Sequence, residues 1–476
     1  MNLVPILPLI ILAGTSILTM LLIAVRRSYN LSFGLNLTGY AAAFIALFFI
    51  SNDLPQNISN FLIVDNYAVF FIGILIAASF TVSLLSYSHL KKYSGNREEY
   101  YILLLIATLG SSVLVCSNNF VSFFLGLEVL SVSLYILIAY TREFQKSLEA
   151  GIKYLILAAA SSAFLLFGMA LLYAEYGAMS FNGISMGLKS IGITPLVFTG
   201  FGMMIVGIGF KLAVVPFHMW TPDVYEGASA PVSAFIATVS KGGMFALLLR
   251  FFYIVNGYQY HSIILIFSII AIASMIAGNL LALLQRNVKR ILAYSSIAHL
   301  GYLLVAFISG NNLTVEAVTF YLVAYFITII GAFGIVTILS GKEKEAEDLD
   351  DYKGLFWRRP LIAAIFTAML LSLAGIPLTA GFIGKYLILA AGVGSTLWLL
   401  SIVLVLSSVI GLYYYLRIVT AMYSKKDEGE EKKTPVFSLG GSVALAFLTL
   451  FLVWLGVFPS GLMTMIRTFV SRLFSG

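Results

Sequence analysis

Cysteine is almost absent from this chain, and charge is scarce. One cysteine, Cys116, stands among 476 residues. That excludes a disulfide framework, a cysteine-ligated cluster or a cysteine-rich zinc site built within the chain. Only 10% of the residues are charged, where a soluble globular chain carries roughly a quarter. Alternating segments of about ten residues, the mark of a membrane β-barrel, are missing as well. What is present is apolar: 60% of the residues are hydrophobic, in runs long enough to cross a bilayer as helix. The formal net charge of +7 does not point to nucleic acid, because the positive residues lie in short loops between apolar runs, where they set topology. The first run, Met1 to Val25, lacks a basic start and is as long as a full span. It reads as the first helix rather than a cleaved signal.

The runs predict an all-α polytopic membrane protein of fourteen spans: 3–25, 32–50, 67–87, 100–116, 119–140, 150–173, 196–216, 229–253, 262–283, 291–309, 315–339, 360–390, 396–420 and 437–457. One set of loops holds Arg26, Arg27, Lys91, Lys92, Arg97, Arg142, Lys146, Arg286, Lys289, Arg290 and the runs Lys342 to Arg359 and Arg417 to Lys433. The other set holds Lys189, Arg467 and Arg472. The positive-inside rule then puts both termini on the outer face of the cell inner membrane, and an even span count demands the same parity. The mixed-sign runs Lys342 to Lys353 and Lys425 to Lys433 read as solvated loops. In the tail from Gly461 to Phe474, Leu462, Ile466, Phe469, Val470 and Leu473 fall at helical spacing, with Arg467 and Arg472 elsewhere on the wheel. That pattern suits a helix lying along the outer interface.

Two spans share an unusual feature. Span seven carries Lys211 with Pro216 in the same stretch, and span twelve carries Pro377 and Lys385 among Gly375, Gly381 and Gly384. Both read as broken helices. They stand five spans apart, and an odd shift makes equivalent helices point oppositely, the signature of an inverted-topology repeat. The chain then divides into an N-terminal three-helix segment (1–99), a first five-helix repeat (100–253, spans four to eight), a second inverted repeat (262–420, spans nine to thirteen) and a last span with its tail (437–476).

Four charges sit within apolar runs: Glu128 in span five, Lys211 in span seven, Lys241 in span eight and Lys385 in span twelve. A charge at membrane depth costs several kcal/mol. Ser131 and Tyr135 follow Glu128 on one helix face, and Lys211 offers a cation for it. A buried lysine is disfavoured as an ammonium, so Lys241, near the middle of its span, suits proton exchange. His299 in span ten, with Ser295, Ser296 and Tyr302 on its face, can both donate and accept. One such lysine bonded to the carbonyl end of a broken helix would do nothing more, and a histidine among hydroxyls is ordinary. Five of them on five spans outweigh that reading. Arg250, near the outer end of span eight, is expected to snorkel to the interface. The link Pro216 to Gly227 carries His218, Asp223 and Glu226 without Lys or Arg. It reads equally as a proton entry mouth or as a rigid turn with Trp220 at the interface.

The segments Lys211 to Gly227 (KLAVVPFHMWTPDVYEG), Gly126 to Tyr135, Glu149 to Tyr154, Arg290 to Tyr302 and Ala374 to Lys385 resemble the antiporter-like membrane subunits of respiratory complex I, most closely the subunit N branch of bacterial NADH-quinone oxidoreductase. The resemblance covers spans four to thirteen well. It implies fourteen helices with two inverted five-helix repeats and one proton channel, with Glu128 paired to Lys211, Lys241 as the central proton carrier and Lys385 toward the outer exit. It implies no cofactor in this chain, with FMN, iron–sulfur clusters and quinone held by partner subunits, and other membrane subunits as partners. The chain stops soon after span fourteen, without the long lateral helix of the most distal sister subunit. The alternative is a subunit of a multisubunit cation/proton antiporter without redox chemistry. Lysines favour protons over sodium in either case, since an ammonium cannot coordinate a cation.

Overall fold

The computed structural model describes residues 3–50, 54–93, 95–341, 344–425 and 439–469. The sequence positions Lys342, Lys426, Lys432, Lys433, Val470, Arg472 and Leu473 lie outside the described residues. Spans one to six are Val4–Val25, Tyr29–Ile50, Asn66–Lys91, Glu99–Cys116, Phe120–Ile138 and Gln145–Tyr176. Spans seven to eleven are Pro195–Leu212, Ala230–Ile254, His261–Leu283, Val288–Ser309 and Thr314–Leu339. Span twelve is two pieces, Pro360–Ala374 and Ala380–Gly394, and spans thirteen and fourteen are Trp398–Tyr423 and Gly440–Val457. All fourteen apolar runs are therefore helical. A helix satisfies its own backbone donors and acceptors, which lipid cannot do. Starts are marked by side chains that take an otherwise free amide: Asp65 from Ala68 at 2.8 Å, Asn119 from Val121 at 2.9 Å and Asn287 from Arg290 at 3.1 Å.

The loops sort into two faces, as an even and alternating span count requires. On the basic face Lys92 Nζ donates to the Ser340 carbonyl at 2.9 Å, Lys146 meets Glu226 and Glu347, and Leu349 N bonds the Arg286 carbonyl. On the opposite face Asn118 N bonds the Phe61 carbonyl, Phe120 N bonds that of Met179, and Ser395 Oγ donates to the Ser309 carbonyl. The opposite face also carries a hairpin, Gln56–Ile58 against Leu62–Val64, and a short helix, Phe181–Ser190. A ten-residue helix, Ser460–Phe469, follows the last span there. Ile466 is buried and Arg467 forms a bidentate pair with Glu316 at 2.9 and 3.0 Å, so this part of the tail packs on span eleven.

Spans eight and ten are enclosed by protein along their whole apolar stretch. Their polar residues therefore face other helices. Span four packs on five and eight, span six on seven, span nine on ten and thirteen, and span eleven on twelve. The helix of span seven ends at Leu212, where Ala213 takes a left-handed φ of 60°. The chain resumes as helix at Trp220–Gly227. Span twelve breaks at Gly375, φ 85°, and Leu378, φ 70°. Span eight holds a third irregularity: a π-turn, Ile236–Ser240, directly before Lys241.

Candidate functional site

Lys241 is 1% exposed and follows the π-turn. Such turns re-aim side chains and recur at functional positions. The ammonium donates to Ser296 Oγ on span ten at 2.7 Å and lies 5.5 Å from the centre of the Tyr225 ring. Ser296 also accepts from the Tyr325 hydroxyl of span eleven at 2.7 Å. The buried Tyr225 hydroxyl has no hydrogen-bond partner among the described residues.

One turn further along span ten, His299 is held at both ring nitrogens. Tyr321 OH lies 2.7 Å from Nδ1 and Tyr415 OH 3.1 Å from Nε2. Tyr415 also bonds Ser295. The His299 and Tyr325 rings are 5.5 Å apart, which brings the histidine beside the Lys241 cluster. A cavity of about 10 Å3 lies between His299, Tyr325, Thr328 and Ser372, close to the smallest space that admits one water. Ser372 in turn accepts from the Gly381 amide at the break of span twelve, at 3.1 Å. Lys385 donates to the Ala374 carbonyl at 2.9 Å and sits 5.0 Å from the centre of the Tyr302 ring. The φ at Gly375 calls for glycine, and a Cβ there would lie 2.8 Å from the Lys385 Cδ and push the lysine stem aside.

Glu128 and Lys211 form a second cluster. Lys211 Nζ donates to Ser131 Oγ and Tyr154 OH, each at 3.0 Å. Glu128 accepts from Ser162 Oγ at 2.6 Å. Among the described residues no ion pair joins Glu128 to Lys211 directly; Ser131, one turn from Glu128 on the same span, takes the ammonium instead. Tyr154 and Ser162 both belong to span six; the segment Glu149 to Tyr154 carries the family resemblance, but the sequence does not mark either hydroxyl as a partner of the Glu128 and Lys211 charges. Beyond that segment, hydroxyls at helical spacing are the signal on span six, and they are too common to single out.

The link after span seven is a helix, and its carboxylates are paired. Asp223 meets Lys153 and Arg290 at 2.9 Å, and Glu226 meets Lys146 at 2.9 Å and Arg290 at 2.8 Å. Burial pushes the Asp223 and Glu226 carboxyls up, but these cations outweigh it and hold both below the usual carboxylate range. Glu345 behaves alike: burial opposes ionisation, while Lys289 at 2.5 Å and His89 at 3.6 Å keep it low. His218 is buried with both ring nitrogens unpartnered among the described residues, and burial pushes its imidazole below the ordinary value. Trp220 is buried against Tyr154, not placed at an interface. A cleft of about 470 Å3 opens beside this network, lined by His89, Lys146, Glu226, Lys289 and Glu345.

Arg250 does not snorkel. It is 0% exposed and grips Asp65 through two bonds of 2.7 and 2.8 Å, with Nε donating to the Val115 carbonyl at 3.1 Å and the Tyr67 ring centre 4.8 Å away. A buried partner outcompetes the interface because it satisfies the fork of the guanidinium without water. No group of three or more His, Cys, Asp or Glu side chains gathers as metal ligands among the described residues.

Residues 117–411 match the family model described as NADH:quinone oxidoreductase/Mrp antiporter, transmembrane. A chain of respiratory complex I from Thermus thermophilus, solved with bound aureothin, is 31% identical, with a TM-score of 0.82 over 96% of this chain and 99% of that one. A chain of the membrane-bound sulfane sulfur reductase, an archaeal respiratory membrane complex, is 23% identical with a TM-score of 0.84 over 98% and 96%. A chain of the Mrp complex from a Dietzia species is 19% identical with a TM-score of 0.87 over 100% and 98%. The last two likenesses concern the fold alone.

Proposed function

Because the chain belongs to the NADH:quinone oxidoreductase/Mrp antiporter transmembrane family, we propose that it moves protons across the inner membrane as one subunit of a complex I-type NADH:quinone oxidoreductase. The carrying observation is the buried polar row Lys241, Ser296, Tyr325 and His299, in which Lys241, Ser296 and His299 stand on the two spans enclosed by protein along their apolar stretch and Tyr325 is buried on span eleven. Lys241 exchanges the proton. Ser296 and Tyr325 connect it to His299, and Lys385 at the break of span twelve serves the outer half of the route. Glu128 and Lys211 form the switch: when the Lys211 ammonium leaves Ser131 for Glu128, the field felt by the next lysine changes. Partner membrane subunits complete the assembly, and redox chemistry with NADH, FMN, iron–sulfur clusters and quinone belongs to other subunits.

The inverted-repeat reading of 100–253 against 262–420 enters this proposal, because it assigns Lys211 and Lys385 to opposite half-routes. The packing pairs support it: four on five, six on seven and four on eight have counterparts in nine on ten, eleven on twelve and nine on thirteen. Both termini on the outer face follow from the basic loops. The alternative, a subunit of a cation/proton antiporter, draws on the full-length likeness to the Dietzia Mrp chain. The 31% identity to a Thermus complex I chain favours the first reading. Purification of the native assembly decides between them. Iron–sulfur subunits among the partners support the oxidoreductase, and their replacement by further antiporter subunits overturns it. Proton uptake into vesicles by that assembly, lost in Lys241→Ala, tests the pathway itself.

A further inference from the structure

We propose that Ser111, on span four, is a positioning residue for Lys241. The hydroxyl of Ser111 donates to the Val239 carbonyl at 2.8 Å, fully buried. Val239 lies in the π-turn that precedes Lys241. A π-turn is an irregular piece of ladder, and a side chain bonded into the ladder fixes where the irregularity sits. One residue of slip in this turn rotates the rest of the span by about 100° on a 3.6-residue helix, which would carry the Lys241 side chain away from Ser296. The location of the turn therefore decides whether the ammonium makes its 2.7 Å bond.

The two spans are shaped for this contact. A Cβ on Gly243 would stand 2.0 Å from Ser111 Oγ, so only glycine at 243 lets the hydroxyl reach the turn. On the other side of the same stretch of span four, Gly110 packs on span five, where a Cβ would lie 2.6 Å from the Leu130 amide. Residues 110 and 111 thus bind the span of Glu128 to the span of Lys241. The arrangement occurs twice. Asn279 follows Gly278 on span nine, and Gly411 of span thirteen would place a Cβ 2.9 Å from its Oδ1. Ser111 and Asn279 are separated along the chain by the same number of residues as Gly243 and Gly411. Asn279 bonds the Tyr302 hydroxyl at 2.9 Å, and the ring of Tyr302 underlies Lys385. In each set of spans a polar residue beside a glycine orients the surroundings of a buried lysine.

This inference rests on Lys241 as a proton carrier, and the test separates the two. Native assemblies carrying Ser111→Ala, Ser296→Ala, both, or Lys241→Ala are matched for assembled complex. Proton uptake into vesicles is then measured against pH. Ser111→Ala is expected to lower uptake several-fold and to displace its pH profile, and Ser296→Ala is expected to do the same. The double variant should be no worse than either single one, because both act through one lysine. Gly243→Ala should copy Ser111→Ala. Electron cryomicroscopy of Ser111→Ala should show the Lys241–Ser296 bond broken. Wild-type uptake and profile in Ser111→Ala, fully multiplicative losses in the double variant, or an intact Lys241–Ser296 bond would each overturn the positioning role. Unchanged uptake in Lys241→Ala removes the pathway reading and this role with it, whereas loss there beside a silent Ser111→Ala removes the role alone.

Discussion

Lys241 and Ser296 meet at 2.7 Å, and the serine takes a second bond from Tyr325 at the same distance. Ser296 is therefore a junction between a lysine of span eight and a tyrosine of span eleven. The lysine reaches the junction only in the register set by the π-turn.

Removal of the ammonium breaks the row at its centre. Lys241→Ala should lower proton translocation roughly a hundredfold or more, within the range that one positioned acid–base group contributes, with assembly retained. Lys241→Arg should restore little, because a guanidinium does not release its proton. Vesicle proton uptake normalised to assembled complex measures both, and full activity of the arginine variant would remove deprotonation from the mechanism.

The Glu128 cluster makes a milder prediction for shortening than for neutralisation. Glu128→Gln should lower proton uptake, since an amide cannot draw the Lys211 ammonium from Ser131. Glu128→Asp should keep part of it. Undiminished pumping in Glu128→Gln combined with Lys211→Met would reduce the pair to a structural role.

Lys385→Ala and Lys211→Ala should differ in kind. The first should slow proton release to the outer face, the second proton uptake on the basic face. Single-turnover measurements of uptake and release on each variant read this out. Equal slowing of both steps in both variants would contradict the assignment to opposite half-routes.

Asp223, Glu226 and Glu345 are all held below the usual carboxylate range by neighbouring cations. For a depressed carboxyl the stabilisation is complete above the unfolded value, about 4, and is lost as pH falls through the folded one. The basic-face network should thus be intact at neutral pH and loosen only in acid below that range. Hydrogen exchange of the Trp220–Gly227 helix against pH would show it. Loosening between about pH 6 and 8, the range in which an ordinary histidine titrates, would mean that another group controls this face.

The fourteen spans are legible because run length and polarity alone decide what lipid accepts, and Lys241 and His299 stand out against apolar neighbours for the same reason. Which partners they take is not legible. Ser296 stands on the His299 face in the sequence, but nothing there ties it to Lys241, and Tyr321 and Tyr415 are ordinary residues until packing brings them to a particular nitrogen. The π-turn Ile236–Ser240 contains neither proline nor glycine, and its hydroxyl donor comes from a span more than a hundred residues earlier. Pro216 points to a break of span seven near itself, whereas the helix ends at Leu212. Asp65 lies far from Arg250 in sequence, so a lone arginine near a span end reads as an interface residue.

The Asp65–Arg250 pair carries a stability prediction. Arg250→Leu alone should cost about 3–5 kcal/mol by leaving a buried carboxylate, read as a lowered unfolding temperature in detergent. Arg250→Leu with Asp65→Leu should recover much of that loss. A double variant as unstable as the single one would show that the arginine acts through Val115 and Tyr67 instead.

The same pair bears on biogenesis. Its partners are 185 residues apart, and chains emerge N-terminal end first. Asp65 is therefore synthesised well before its only ion-pair partner among the described residues, while spans three to eight still have to be made. During that interval the chain carries a carboxylate that has the Ala68 amide but no cation to offset its burial. The first three spans can settle into final contact with the rest only after span eight arrives, so insertion of this protein has a built-in order, with Arg250 locking the N-terminal three-helix segment in place.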